Sequence, residues 1–350
     1  MKTFVKSIAL LAVLFAFAAC SESDDVPVVP EQVSGDVYYV LNSGDWKSNN
    51  SSLTMYDTST GAVVQGYFEH VNGRKLGNTA NDMVVYGSKM YIAVSGEGTI
   101  EVTDLAANSL AQIECGAQPR YLAAHGGKVY ATYYDGHVVR IDTVTMQVDA
   151  KVKVGRNPEQ LAVCGGKLYV ANSGGMDYNT ELGYDNTVSV VDLVAFAETA
   201  KIEVACNPAV VVAADDDVYV ASYGNYYDVP STLQHISADG VASVVEECSN
   251  MTELCYSAGR LYGFFSSYDA NWNATITYLS YGVADKSVDS PWIKESFLPV
   301  PYKVCAAGKY VCVTSSDYIN DGDTYFYDTD GMLAFKIAAG LNPVKVVSLK

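Results

Sequence analysis

Histidine is scarce in this chain, and the motifs of several common enzyme classes are missing. Of the 350 residues only four are histidines, at positions 70, 125, 137 and 235, and none lies in an H-E-x-x-H pattern. No serine lies in a G-x-S-x-G elbow, and neither a phosphate loop nor a dinucleotide-binding fingerprint is present. The sequence therefore predicts a protein that is not an enzyme and has no cofactor.

Basic residues are also few. Lysine and arginine number 22 against 40 acidic residues, which gives a net charge of −18. Nucleic-acid binding needs clustered lysine and arginine to neutralise phosphates, so this class of partner is excluded.

The cysteine pattern does not indicate a disulfide framework or a metal site. There are eight cysteines and no C-x-x-C, and Cys20 stands apart at the N-terminus, which leaves an odd number. Cys305 and Cys312 flank a tight turn, and the sequence leaves open whether they pair. The acidic run at 317–323 has some calcium-loop spacing but lacks the distal glutamate, so we predict no metal ligand.

The N-terminus has the pattern of an export signal. Lys2 and Lys6 precede an apolar stretch, residues 8–19, that is too short to span a bilayer, and Cys20 follows directly. This arrangement resembles a lipoprotein processing box, which implies a signal peptide at 1–19 and acylation of Cys20. The acidic residues 21–25 resemble the tag of surface-exposed Bacteroidota lipoproteins. Residues 20–34 are then an acidic flexible tether, and the expected location is the cell-surface side of the outer membrane.

A repeat of about 47 residues occupies the remainder of the chain. The clearest unit, residues 157–204, contains four short apolar or alternating segments separated by Gly, Asp or Asn turns, as in a four-stranded antiparallel sheet. Strand-turn-strand pieces of the same kind lie at 81–94, 120–133, 208–222, 252–265 and 302–314. Six complete units are visible.

A seventh unit is divided between the two ends of the chain. Residues 37–41, 52–58 and 61–67 match a second, third and fourth strand, and the missing first strand is present at 342–349. Such a C-terminal strand would close a ring without open sheet edges. We therefore predict an all-β fold, a seven-bladed β-propeller of four-stranded antiparallel blades over residues 35–350.

The insertions between second and third strands are rich in aromatic and amide side chains, and in a propeller they share one face. Exposed tyrosine and tryptophan offer rigid contact area with a polar tip, which suits a bulky and partly polar ligand. The predicted ligand-binding residues are Trp46, Arg120, Tyr133, Tyr134, Tyr178, Tyr184, Tyr226, Tyr227, Tyr268, Trp272 and Tyr318.

Other aromatic and charged residues have a simpler interpretation. Tyr91, Tyr130, Tyr169 and Tyr219 recur at one strand position, so we assign them to packing between blades. Most charges at the starts of the first strands are interpreted as a solvated rim, although they could also contact polar groups of a ligand. Asn157, Asn207 and Asn342 are expected to shape the turn before the following proline.

The segments LYVANSGG (168–175) and NTVSVVDL (186–193), with the Asn-Pro pairs, resemble the YVTN family of β-propeller repeats. With the lipoprotein start, the chain resembles Bacteroidota surface lipoproteins, including cobalamin-capturing propellers that sit on a TonB-dependent transporter. This resemblance implies capture of cobalamin or another corrinoid by a monomeric propeller. The alternatives are a scaffold for protein or glycan and, third, a metal-dependent hydrolase or lyase.

Overall fold

The computed structural model describes residues 36–268, 274–295 and 300–349. The predicted signal peptide, Cys20, the tether and Trp272 lie outside these residues. Strands dominate the described part of the chain, where they form seven four-stranded antiparallel sheets. No helix among the described residues has the length and apolar character needed to cross a membrane.

Each sheet is one blade, and its strands are numbered along the chain. Blade 1 contains β28 (Pro343–Leu349), β1 (Val37–Asn42), β2 (Ser52–Asp57) and β3 (Ala62–Val64); blade 2 contains β4 (Ala80–Tyr86), β5 (Lys89–Val94), β6 (Thr99–Asp104) and β7 (Ser109–Glu114); blade 3 contains β8 (Pro119–His125), β9 (Lys128–Tyr133), β10 (His137–Asp142) and β11 (Gln147–Lys153).

The remaining blades follow the same order. Blade 4 contains β12 (Pro158–Cys164), β13 (Lys167–Asn172), β14 (Thr187–Asp192) and β15 (Ala197–Glu203); blade 5 contains β16 (Pro208–Ala214), β17 (Asp217–Ser222), β18 (Thr232–Ile236) and β19 (Ala242–Val244); blade 6 contains β20 (Glu253–Ser257), β21 (Arg260–Tyr268), β22 (Ala274–Gly282) and β23 (Val288–Asp289); blade 7 contains β24 (Pro301–Ala307), β25 (Tyr310–Ser315), β26 (Asp321–Tyr327) and β27 (Leu333–Leu341). Helix α1 (Tyr67–Asn72) follows blade 1, and short 3₁₀ helices lie at Gly175–Asp177 and Glu246–Cys248.

The C-terminal strand closes the ring. Strand β28 pairs antiparallel with β1, with Val346 opposite Val40 and Leu349 opposite Val37. The first strands of successive blades are neighbours all the way round, including β24 with β28 and β28 with β4. The predicted seven-bladed propeller and its composite first blade are confirmed.

The local sequence explains why each blade folds in this way. In blade 4 the turn between β12 and β13 is Gly165-Gly166, and both residues have positive φ, as a tight two-residue hairpin requires. Asn157, Asn207 and Asn342 all have positive φ and place the next proline at the start of a first strand. These asparagines shape the turn, as the sequence indicates.

Tyrosines at one position of the second strands fill the space between blades. Tyr91, Tyr130, Tyr169 and Tyr219 are all buried. Where the ring closes, Tyr38 of β1 contacts Phe326 of blade 7 with a centroid distance of 5.1 Å, and Val346 is buried in the same cluster. The predicted packing role of these strand tyrosines is therefore supported by their burial.

Two local predictions are wrong. Gly66 adopts a left-handed conformation that ends the fourth strand of blade 1, so Tyr67 begins α1 and is not part of that strand. In blade 6 both described ends of the segment 266–274, which we expected to be an inserted loop, belong to strands, because Ser267 pairs with Thr275 and Tyr268 with Ala274.

We predict that Val346→Ala destabilises the protein by about 1–3 kcal/mol, because it removes two buried methyl groups from the cluster that closes the ring. Urea unfolding followed by tryptophan fluorescence measures this change. Val347→Ala in the same strand is the matched control, since Val347 is only half-buried. Equal losses in the two variants would contradict the importance of the blade 1–blade 7 contact.

Candidate ligand-binding site at the channel mouth

The first strands surround a central channel. A cavity of about 590 Å³ lies in it, and its charged lining residues are Asp82, Arg120, Glu253, Lys303 and Lys345. A second cavity, of about 600 Å³, has a largely apolar lining that includes Met83, Leu122, Ala307 and Val346, and it shares Lys345 with the first. The charged side chains are therefore concentrated around the first cavity.

An arginine–glutamate pair joins blades 3 and 4 across the channel wall. Arg120 donates from Nε and Nη2 to Oε2 of Glu159, at 3.1 and 3.0 Å. Arg120 also donates to Oδ1 of Asn81 in blade 2 at 2.6 Å, and its guanidinium lies 4.4 Å from the ring centroid of Tyr134. The hydroxyl of Tyr134 donates to the other oxygen of Glu159. This cluster holds three blades together.

A second cluster joins blades 5, 6 and 7. Lys303 of β24 donates to Oε1 of Glu253 in β20 at 2.5 Å, and the hydroxyl of Tyr223 donates to the same oxygen at 2.5 Å. The side chains of Glu253 and Lys303 are 11% and 21% exposed. Burying a charge is costly unless it is paired and hydrogen-bonded, and here each charge has a partner.

A third pair joins blades 1 and 2. The ammonium of Lys345 lies 3.1 Å from Oδ1 of Asp82, whose side chain is 4% exposed. The other oxygen of Asp82 accepts the backbone N–H of Leu122 in blade 3 at 2.9 Å. We call these three cations and three carboxylates the ion-pair ring: Asp82, Arg120, Glu159, Glu253, Lys303 and Lys345.

Burial and charge together shift the pKa values in this ring. Burial alone would lower the pKa of Lys303, but attraction by Glu253 and Tyr223 outweighs it and holds that pKa well above the usual value. Burial, with the nearby Glu253 charge, raises the pKa of Tyr223. Because both groups keep their protons longer in the folded chain, their contribution to stability is fully present below their ordinary pKa values, about 10, and is lost as the pH rises through the raised ones.

Tyrosines surround an adjoining cavity of about 260 Å³. Its lining includes Tyr121, Tyr184, Tyr223 and Tyr226 together with Glu159. Arg120, Tyr121 and Lys303 line both this cavity and the channel cavity. We call the set Arg120, Tyr121, Glu159, Tyr184, Tyr223, Tyr226 and Lys303 the channel mouth.

Local structure holds the two long inserts at the channel mouth. Arg156 donates to Oδ2 of Asp177 at 2.6 Å and to the carbonyl of Gly183 at 3.0 Å, which fixes the insert of blade 4. In blade 5 the side chain of Asn225 accepts three successive backbone N–H groups, those of residues 227, 228 and 229. A Cβ on Gly224 would lie 2.0 Å from the carbonyl oxygen of Val229, so this turn requires glycine.

The structure brings part of the predicted binding set together. Tyr184 packs between Tyr178 and Tyr226, with centroid distances of 6.3 and 6.4 Å. Arg120 lies at the same mouth, and Tyr134 contacts it. Four of the eleven predicted residues are not brought to this cluster: Trp46, Tyr133, Tyr227 and Tyr318. Trp272 lies outside the described residues, and of Tyr268 only the strand position is described.

The reasons differ between these residues. Tyr133 is 2% exposed, because it is the last residue of β9 and packs between blades 2 and 3, so its assignment to the ligand surface is wrong. Trp46 and Tyr227 are exposed but line none of the cavities around the channel. Tyr318 packs edge-on against Tyr302, a channel residue, at 5.4 Å. Tyr268 ends strand β21.

The sequence interpretation missed most of the ion-pair ring. Charges at the starts of the first strands were expected to form a solvated rim, but Asp82 and Glu253 are buried and paired across blades, so that interpretation is wrong for them. Charged residues of both signs recur at the same position of the first strands. This recurrence is the sequence signal that indicates pairing around a channel. Tyr223 was also missed, although it directly follows a second strand as the predicted Tyr134 does.

The described residues contain no group of three or more potential metal-binding side chains. The seven cysteines from Cys115 to Cys312 are free, and this includes Cys305 and Cys312 although they lie opposite each other in adjacent strands. A disulfide between that pair is therefore not formed.

Fold and site define a seven-bladed β-propeller with a polar, aromatic channel mouth. Within this class, residues 36–263 match a family described as Domain of unknown function (DUF5074). This match covers more than half of the chain, which therefore belongs to that family. None of the curated proteins compared matches it significantly.

Several solved structures share the fold. Hydrazine synthase from Kuenenia stuttgartiensis aligns with a TM-score of 0.63 and 16% identity, over 77% of this chain and 89% of that one. A Bacteroides fragilis protein, proposed to be a 6-phosphogluconolactonase, aligns with a TM-score of 0.63 and 12% identity over 92% and 100%. Apo AztD from Citrobacter koseri gives 0.52 and 11% over 91% and 98%. At such identities the similarity shows the fold alone.

We predict that Glu253→Gln destabilises the protein by about 1–3 kcal/mol, because it leaves the Lys303 charge largely buried without its anion. The double variant Glu253→Gln/Lys303→Met should recover at least half of that loss. Urea unfolding of both single variants and the double variant completes the cycle. If the loss of unfolding free energy in the double variant equals the sum of the losses in the two single variants, the pairing of Glu253 with Lys303 is contradicted.

Proposed function

We propose that this protein binds a small molecule at the channel mouth and does not transform it. The observation that supports this proposal is the convergence of Tyr184, Tyr223 and Tyr226 with Arg120 and Lys303 around one concave opening. Ligand sites are typically concave, with aromatic walls and a few convergent polar groups. The ligand class that fits is a bulky molecule with a flat or apolar body and polar substituents.

Catalysis by the channel residues is not supported by the geometry. Both oxygens of Glu159 and both of Asp82 already accept hydrogen bonds or ion pairs, and Glu253 accepts two. A general base needs a lone pair directed at substrate, and a divalent cation needs several free carboxylate or amide oxygens. The hydrolase alternative is therefore the weakest of the three.

The specific ligand that we propose is cobalamin or another corrinoid. Support comes from the resemblance to cobalamin-capturing surface propellers and from the contiguous aromatic surface that Tyr178, Tyr184 and Tyr226 offer to a broad macrocycle. Such a body would rest across the mouth, and only a side arm would enter the channel. Delivery to a TonB-dependent outer-membrane transporter is part of the same proposal.

A protein or glycan scaffold is the second candidate function. The loop-rich side of the propeller exposes Trp46, Tyr227 and Ile319, none of which lines the channel mouth. Exposed aromatic side chains are common in interfaces between macromolecules. A scaffold would use these outer residues in preference to Tyr184 and Tyr226, so the two functions differ in the residues on which they depend.

Binding of cyanocobalamin measured by calorimetry tests the proposed function. Tyr226→Ala should weaken binding by about tenfold or more, because it removes an aromatic wall of the mouth. Tyr227→Ala is the matched control: this neighbouring side chain is 93% exposed and lies outside the mouth, so the affinity should change less than about twofold.

Two different results would contradict the corrinoid proposal and the proposed binding surface. Absence of heat at micromolar cyanocobalamin would end the corrinoid proposal. Equal losses in Tyr226→Ala and Tyr227→Ala would show that the outer face, as in the scaffold alternative, is the binding surface.

We also propose that Cys20 carries a lipid that anchors the protein to the outer membrane. In a bacterial host fed with an alkyne-tagged fatty acid, the wild-type chain should be labelled and should fractionate with membranes. Cys20→Ala should lose the label and leave the membrane fraction, whereas Cys206→Ala should retain both. Labelling of Cys20→Ala would refute the proposed anchor.

A further inference from the structure

We infer that Lys303, Tyr121 and Arg120 form an anion subsite at the junction of the two cavities, and that it binds an oxyanion of the ligand, such as a carboxylate or a phosphodiester. The inference rests on the proposed function and specifies one chemical group that the ligand carries. The evidence is that almost all hydrogen-bond acceptors around the junction are already used, whereas several donors still have free N–H or O–H groups.

The acceptors of the ion-pair ring are almost all used. Oε2 of Glu159 accepts two N–H groups of Arg120, and Oε1 accepts the hydroxyl of Tyr134. The two oxygens of Asp82 face Lys345 and the N–H of Leu122. Oε1 of Glu253 accepts from both Tyr223 and Lys303. A cationic ligand group would therefore have to break an existing pair.

Several donors at the junction, in contrast, have capacity left. An ammonium has three N–H groups, and that of Lys303 donates only to Glu253 among the described residues. Arg120 uses three of the five N–H groups of a guanidinium. The hydroxyl of Tyr121 has no hydrogen-bond partner within the described part of the chain, and Tyr121 lines both cavities.

Position and charge favour an anion over a neutral acceptor. The guanidinium of Arg120 lies 5.7 Å from the ring centroid of Tyr121, and Lys303 lines both cavities together with these two residues. Hydrogen bonds from cationic donors to an anion are shorter and about twice as strong as neutral ones. Glu159 and Glu253 balance the charges of Arg120 and Lys303, so selection for an anion comes from the N–H and O–H groups at the junction that have no acceptor.

The test compares 2-naphthoate with 2-naphthamide, which share a flat aromatic body and differ in charge. Calorimetry or NMR titration of the wild-type protein should show that naphthoate binds about tenfold more tightly, a difference of about 1.4 kcal/mol. Lys303→Met should abolish this preference, because it removes a cationic donor from the subsite. Tyr121→Phe, which leaves every ion pair intact, should reduce the preference about threefold.

Lys336→Met is the matched control, because Lys336 also belongs to blade 7 and is paired with Asp323, but it lines none of the cavities around the channel. Equal affinities of the wild type for the two probes would overturn the subsite. A naphthoate preference that survives both Lys303→Met and Tyr121→Phe would also overturn it. If both probes bind equally and both are weakened by Tyr226→Ala, the proposed function stands and only the subsite falls.

Absence of binding by both probes overturns the subsite as well. The proposed function is then judged by the cyanocobalamin titration alone, which does not depend on a carboxylate.

Discussion

Antiparallel pairing of β28 with β1 is the constraint on which the rest of the structure depends. Each blade buries its side chains against its two neighbours, so an open ring would leave two blade faces in water. Pairing the last strand with the first joins blades 7 and 1 and covers Tyr38 and Val346. It also holds seven first strands around one axis, and this arrangement creates the channel.

Ring closure explains why charges can lie inside the molecule. On an open sheet, Asp82 or Glu253 would be solvated, and pairing with a lysine would contribute little. Around a closed channel these carboxylates lose most of their water, and each is paired with a cation from a neighbouring blade. Removing one partner is then costly, although a well-packed apolar pair could be equally stable. The ring of pairs thus favours a specific register of the blades more than it adds stability.

The general architecture could be predicted from the sequence because it follows from a repeated pattern. Tyr91 and Tyr219 are recognisable as packing residues because they recur at one position of the repeat. Tyr133 ends the predicted strand-turn-strand piece 120–133 and was also assigned to the ligand-binding set, and the pairing of β9 with β10 shows that it belongs to the strand. The contacts of Arg120 with Glu159, 39 residues away, depend on how blades face each other. No local pattern contains that information.

Functional identity has to be sought in the residues that the repeat does not determine. Proteins with different names share this fold with 11–16% identity, so the strands alone do not discriminate between them. In blade 5 the turn at Asn225 places Tyr226 at the channel mouth and leaves Tyr227 in solvent, although the two residues are adjacent and chemically identical. Packing cannot account for an aromatic side chain that is 71% exposed and borders a polar cavity. Exposure of an aromatic ring to water is unfavourable, whereas a ligand can pack on that ring and accept hydrogen bonds from the neighbouring cationic donors. Ligand binding is therefore the role that this position favours.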